Sequence, residues 1–261
     1  MERDIQQLRK TIPHLLAIFF TAPLVGLCAC IPPAVTPMPT RVVPALVSSA
    51  ATPLLIYLPG MGDSITVFEA NGMLDSLHAA GLDVDFVSCD AHFGYYAKRN
   101  LHERVLNDAI GPAVEKGHPE VWFVGNSMGG LGSMLYAWKH PGTVKGVVLL
   151  GPFISRRRVI REIKAAGGLK AWNPIVADTT EWERRLWLWL KHCAAGKDSS
   201  CPEIYLGYGR DDGLAPGHEL LAEILPPDHI VVIEGGHDWP IWRKAWGKLL
   251  RGGALTGYVK E

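Results

Sequence analysis

The chain has 261 residues, of which 48% are hydrophobic and nine are tryptophan, enough to bury one full core and too apolar for a disordered chain. Its 26 basic and 26 acidic side chains cancel, so no net field recommends nucleic acid as a partner.

Arg3, Arg9 and Lys10 precede a mostly apolar run from Ile12 to Leu27, which Pro13, His14 and Pro23 interrupt. The run is short and broken for a membrane span, and it reads as a secretory signal over residues 1–30. It closes on Leu27-Cys28-Ala29-Cys30, which resembles a bacterial lipobox. That resemblance implies lipidation at Cys30, a membrane tether and a location in the bacterial cell envelope; an uncleaved anchor and plain signal cleavage are the other readings. Residues 31–53 are rich in Pro, Thr, Ser, Ala and Val, a linker composition that is extended and unable to bury a core.

One domain of α/β type is expected over 54–261. Leu54–Leu58 reads as a buried strand running into the glycine-rich turn Pro59–Ser64, and a helix is predicted over 67–80. Leu82–Cys89 is a second strand, followed by a loop holding His92, Phe93, Tyr95 and Tyr96. A helix over about 98–116 is stopped by Gly117 and Pro119. The organising stretch comes next. Val121-Trp122-Phe123-Val124 is an apolar run that ends in Gly125-Asn126-Ser127-Met128-Gly129, and a helical pattern follows to His140. Strand, sharp turn and helix are the context of a nucleophile elbow, with Ser127 held above the sheet edge and the helix N-terminus favouring negative charge beside it. Val144–Leu150 is a further strand.

Between 154 and 200 the alternation breaks. Arg156, Arg157, Arg158, Arg161 and Lys164 make a basic patch, and Trp172, Trp182, Trp187 and Trp189 follow. This insertion reads as a lid of about 154–200, either an apolar roof with arginines facing acidic groups, or a solvated basic face with tryptophans packing the lid down. Cys193 and Cys201 flank its last loop and could pair in an oxidising compartment, leaving Cys89 buried at a strand end. Strands then return at 203–209 and 229–233, followed by Gly209-Arg210-Asp211-Asp212 and Gly235-Gly236-His237, and a last helix covers about 240–251.

Near-continuous apolar strands alternating with helices predict a mostly parallel, doubly wound α/β sheet, with the ligand crevice at the strands' carboxyl ends. The order Ser127, acid, His237, together with the three glycine-containing motifs, resembles the α/β-hydrolase family over about residues 54–252. The resemblance implies that Ser127 is a nucleophile, His237 its base and Asp212 the orienting carboxylate, with Asp211 as the other candidate. It implies an oxyanion hole from the N–H groups of Met128 and Met61, where Pro59-Gly60 replaces the family's common His-Gly. Neither a cofactor nor a metal is expected, since no His-Glu-x-x-His and no Cys-x-x-Cys pair is present. The expected activity is hydrolysis of a small-molecule carboxylic ester through an acyl-enzyme. An acyltransferase with the same triad, or a non-catalytic envelope lipoprotein that binds a small molecule or partner, are the alternatives.

Overall fold

The computed structural model describes residues 31–47, 52–115, 117, 120–174, 181–195 and 199–255; the signal-like segment and Cys30 lie outside the described residues. Seven strands form one sheet: β1 (Thr40–Val43), β2 (Leu54–Leu58), β3 (Asp85–Cys89), β4 (Val121–Asn126), β5 (Gly146–Leu150), β6 (Glu203–Gly209) and β7 (Ile230–Ile233). Their spatial order is β1-β3-β2-β4-β5-β6-β7, with β2 to β7 parallel and β1 antiparallel to β3. Every residue of β2, β3, β4 and β5 is buried, as a parallel sheet covered on both faces requires.

Two apolar clusters sit on the two faces, and the period-2 geometry of β2 divides between them. Leu54, Ile56 and Leu58 join one, while Leu55 and Tyr57 join the other. The second face is covered by the short helices α1 (Val67–Ala70) and α2 (Met73–Ala79), and by the last helix of the fold, Trp239–Arg251. On the first face lie α3 (Phe93–Ala97), α4 (Leu101–Val105), a π-turn at Leu106–Ile110, α5 (Gly111–Val114) and α6 (Met128–Lys139). The insertion contributes α7 (Arg157–Ala165) and α8 (Trp182–Ala194); α9 is Ala215–Ala222, and α10 is Trp239–Arg251.

Three expectations need correction. The segment 31–53 is no free linker, because Thr40–Val43 pairs along β3 with Thr40 opposite Cys89 and Val43 opposite Phe86. Met38 is buried in the core, and its N–H donates to Asp108 Oδ2 at 2.8 Å, so proline content hid a β-branched edge strand. The single helix over 98–116 is two α segments joined by a π-turn, and the helix over 67–80 is two pieces that break at Asn71-Gly72.

The lid is docked as part of the core. Trp172 and Trp187 are buried in the first cluster, and Trp187 Nε1 donates to Ser155 Oγ at 2.9 Å. Arg156 and Arg158 turn to the buried Glu183, and Lys164 pairs with Glu219, so much of the basic patch is neutralised within the protein. Cys193 and Cys201 are joined by a disulfide with Cα atoms 5.4 Å apart, and Cys89 is a buried free thiol at the end of β3.

Candidate active site

Because β2, β4, β6 and β7 run parallel, the segments leaving their carboxyl ends emerge along one rim of the sheet. Ser127 follows β4 directly and caps α6 with φ 49° and ψ −114°, a backbone conformation that L-residues avoid. The surroundings hold it there. Its N–H donates to Leu150 O at 3.0 Å, and its carbonyl accepts from Phe153 N at 2.8 Å and Gly130 N at 3.1 Å. The flanking glycines are required by space: a Cβ on Gly129 would lie 1.8 Å from Leu58 O, and one on Gly125 2.4 Å from the Gly129 backbone.

His237 stands after β7, with Nε2 2.9 Å from Ser127 Oγ and Nδ1 2.7 Å from Asp212 Oδ2. Asp212 is the partner; Asp211 is exposed. Burial alone would raise the Asp212 carboxyl, but the His237 hydrogen bond, the Leu214 N–H at 2.8 Å and the neighbouring His218 outweigh it and hold the group below its ordinary 3.8. Trp242 meets the His237 ring edge-on at 4.8 Å. The three side chains therefore form one hydrogen-bonded line across segments 25 and 110 residues apart.

Met128 opens α6, so its N–H is among those a helix leaves without an intrahelical partner. Met61 stands in the turn after β2 with an exposed side chain, and both residues line the same cavity as Ser127. That cavity is about 650 Å³ and is walled by aromatic and aliphatic side chains, Trp182 of the lid among them. His92 is not part of it. Its Nδ1 accepts from Gly94 N at 3.1 Å, capping α3, and its ring packs on Tyr95. His102 and His140 are half-buried and face each other at 3.2 Å.

Sequence reasoning missed three neighbours. Asn126 is fully buried: its Oδ1 accepts from Tyr57 OH at 2.8 Å and Gly60 N at 3.1 Å, and its Nδ2 donates to Asp63 Oδ2 at 2.8 Å. The side chain beside the serine thus ties the elbow to the Met61 turn. Gly151 has φ 52°, and a Cβ there would come 2.6 Å from Trp242 Nε1 and 3.1 Å from Asp212 Oδ2. His218 is buried behind Asp212, with Nε2 2.9 Å from Pro152 O and Nδ1 unpartnered; burial pushes it down to about 4. Only Gly151-Pro152, a turn signal directly after a strand, carried any local hint.

A family model described as serine aminopeptidase, S33, matches residues 99–191, a span that includes Ser127 and ends before Asp212 and His237. An acetyl esterase of Caldicellulosiruptor saccharolyticus is 30% identical over 172 residues, 59% of this chain and 61% of that protein, so the chain spans under two thirds of that relative's length. Among solved structures, the fluorophosphonate-binding serine hydrolase FphF of Staphylococcus aureus superposes with a TM-score of 0.59 at 13% identity, over 81% of this chain and 90% of that one. Est1E of Butyrivibrio proteoclasticus gives 0.52 at 16%, over 82% and 94%. At these identities the superpositions establish the fold.

Proposed function

The chain is an α/β-hydrolase in fold, and on that premise we propose that it is a serine hydrolase that cleaves carboxylic esters. The observation that carries this reading is the line Asp212–His237–Ser127, with contacts of 2.7 and 2.9 Å. In it, His237 Nε2 takes the proton of Ser127 Oγ as the oxygen attacks the ester carbonyl carbon. The N–H groups of Met61 and Met128 hold the oxyanion. The carbonyl then re-forms, the bond to the alcohol oxygen breaks, and His237 gives that oxygen the proton. Water attacks the acyl-enzyme, loses its proton to His237 and releases the acid, and Ser127 regains a proton. Asp212 keeps the imidazole in the required tautomer throughout. The name of the acetyl esterase relative supports an ester as substrate.

A fluorophosphonate probe tests the reading. It is expected to label the folded protein and to fail on Ser127→Ala; a folded wild type that takes no label favours the binding-protein alternative. The N-terminal reading extends the proposal to an exported protein tethered by lipid at Cys30, which the Cys193–Cys201 disulfide supports because such bonds persist in oxidising compartments. Labelled palmitate should enter the wild type, and entry into Cys30→Ser would remove the lipid anchor.

A further inference from the structure

The cavity beside Ser127 has a direction. Its floor is one face of α6, where Leu131, Leu135, Trp138 and Lys139 recur at helical spacing. The 12 residues of α6, at about 1.5 Å each, carry that floor roughly 18 Å from the serine to Lys139. Its near part is apolar, and besides Tyr96 the titratable residues that line it are all basic: Arg99, His102, Lys139 and Arg185. Lys139 and Arg185 both lie over the Trp138 ring, at 5.2 and 5.5 Å, so two of these cations sit together at the far end of the floor.

Several arginines outside the cavity are neutralised. Arg41, Arg156, Arg184 and Arg210 all meet carboxylates. Among the described residues no carboxylate pairs with Arg99 or Lys139, and no Asp or Glu lines the cavity. We propose that this trench binds the acyl arm of an elongated ester whose far end carries a carboxylate, the apolar body lying along Leu131, Leu135 and Trp138 and the anion meeting Arg99, Lys139 and Arg185. The inference rests on the serine hydrolase reading and adds the substrate class to it. An extended chain advances about 1.2 Å per bond, so an acid of about twelve to sixteen carbons spans the distance.

The test compares mono-4-nitrophenyl esters of α,ω-dicarboxylic acids of that length with neutral 4-nitrophenyl esters of equal length, both kept below the concentration at which they aggregate. Exposed ion pairs are individually weak, and three acting on one carboxylate amount to about a tenfold preference in kcat/KM at low ionic strength. The preference should shrink toward parity at about 0.5 M salt, and it should be absent for the mono-ester of butanedioic acid against butyrate, whose carboxylate does not reach the cations. In a variant carrying Arg99→Gln, Lys139→Gln and Arg185→Gln the long-chain ratio should fall to about one. Equal rates for the two long esters in the wild type, or a ratio that survives the triple variant or high salt, overturns the inference and leaves the ester hydrolase standing. A folded protein that cleaves neither these esters nor 4-nitrophenyl acetate and takes no fluorophosphonate removes the hydrolase reading, and the inference with it.

Discussion

Asn126 is a positioning residue whose value lies in what it joins. Through Tyr57, Gly60 and Asp63 it fixes the turn that presents the Met61 N–H, and Trp239 Nε1 reaches Asp63 Oδ1 from the far side at 3.4 Å. Asn126→Leu keeps the volume but leaves those buried polar groups unpaired. If the Met61 amide stabilises the transition state, kcat on 4-nitrophenyl acetate should fall about a hundredfold with KM little changed. A raised KM at unchanged kcat would mean that the network shapes the binding cavity instead. Asp212→Asn should cut kcat by about 10⁴ through the wrong imidazole tautomer. Ser127 and His237 were legible because their signals are local glycine motifs next to strands. The Asn126 network was not, since its partners lie 63 to 69 residues away and nothing in a Gly-Asn-Ser-Met-Gly string names them. His218 has no local signal either, yet it makes a pH prediction. Its folded value is about 4 against an ordinary 6.5, so the unfolded chain binds the proton first as pH falls. The stability this gives is complete above pH 6.5 and declines down to about pH 4, by about 3 kcal/mol in all. Melting temperatures taken from pH 7 to pH 4.5 should therefore fall less steeply in His218→Gln than in the wild type. Parallel slopes would mean that the imidazole is not held neutral.

At the scale of elements, the insertion between β5 and β6 is rooted in the core, and this decides how substrate enters. Trp172, Leu186, Trp187 and Leu190 belong to the same cluster as Leu149 and Leu206 of the sheet. Glu183 is buried and accepts from both the backbone and the guanidinium of Arg156. A flap that swung open as a whole would have to extract these groups from their partners, so substrate reaches Ser127 through the cavity that Trp182, Arg185 and Phe93 help to line. Trp187→Ala should cost about 3–5 kcal/mol, on the order of 10 °C in Tm, because it empties a core site. A change in ester turnover with no change in Tm would instead describe a detached lid. The tryptophans of the insertion pointed to a lid but left open whether they roof the crevice or pack the lid down. Helical spacing sets the angle between Trp182 and Trp187, while only the packing partner decides that one lines a cavity and the other fills a core. The arginine run misled for a related reason. Arg156 and Arg158 are consumed by Glu183, 25 to 27 residues away, whereas the cations at the cavity come from α6, from α8 and from the turn after α3.

At the scale of the whole molecule, the sheet ends in β1 and β7, and the covalent link touches neither edge but enters at β6, one strand inside. β1 closes the first edge with four residues, one antiparallel ladder and the side-chain bonds of Asp83 and Asp85 to the amides of Ala45, Leu46 and Val47. Proline-rich flanks concealed this strand, because composition over a window of twenty residues averages away a four-residue run with three β-branched members. The Cys193–Cys201 bond joins the end of α8 to the start of β6, across a sequence separation of 8. Closing so short a loop restrains the unfolded chain by about 2.5 kcal/mol, which for a domain of this size is roughly 5–10 °C in Tm. Reduction should produce that drop in the wild type, and a Cys193→Ala, Cys201→Ala variant should start from the lower Tm and show no further response. Cys89 supplies the internal control. Its thiol is fully buried, and burial raises its pKa well above the ordinary value, so it should resist alkylation in the native state under either condition. A Tm that does not move on reduction, with two thiols newly titrated, would mean that the lid's packing through Leu186, Trp187 and Leu190 already holds the chain at that junction and the bond adds nothing to it.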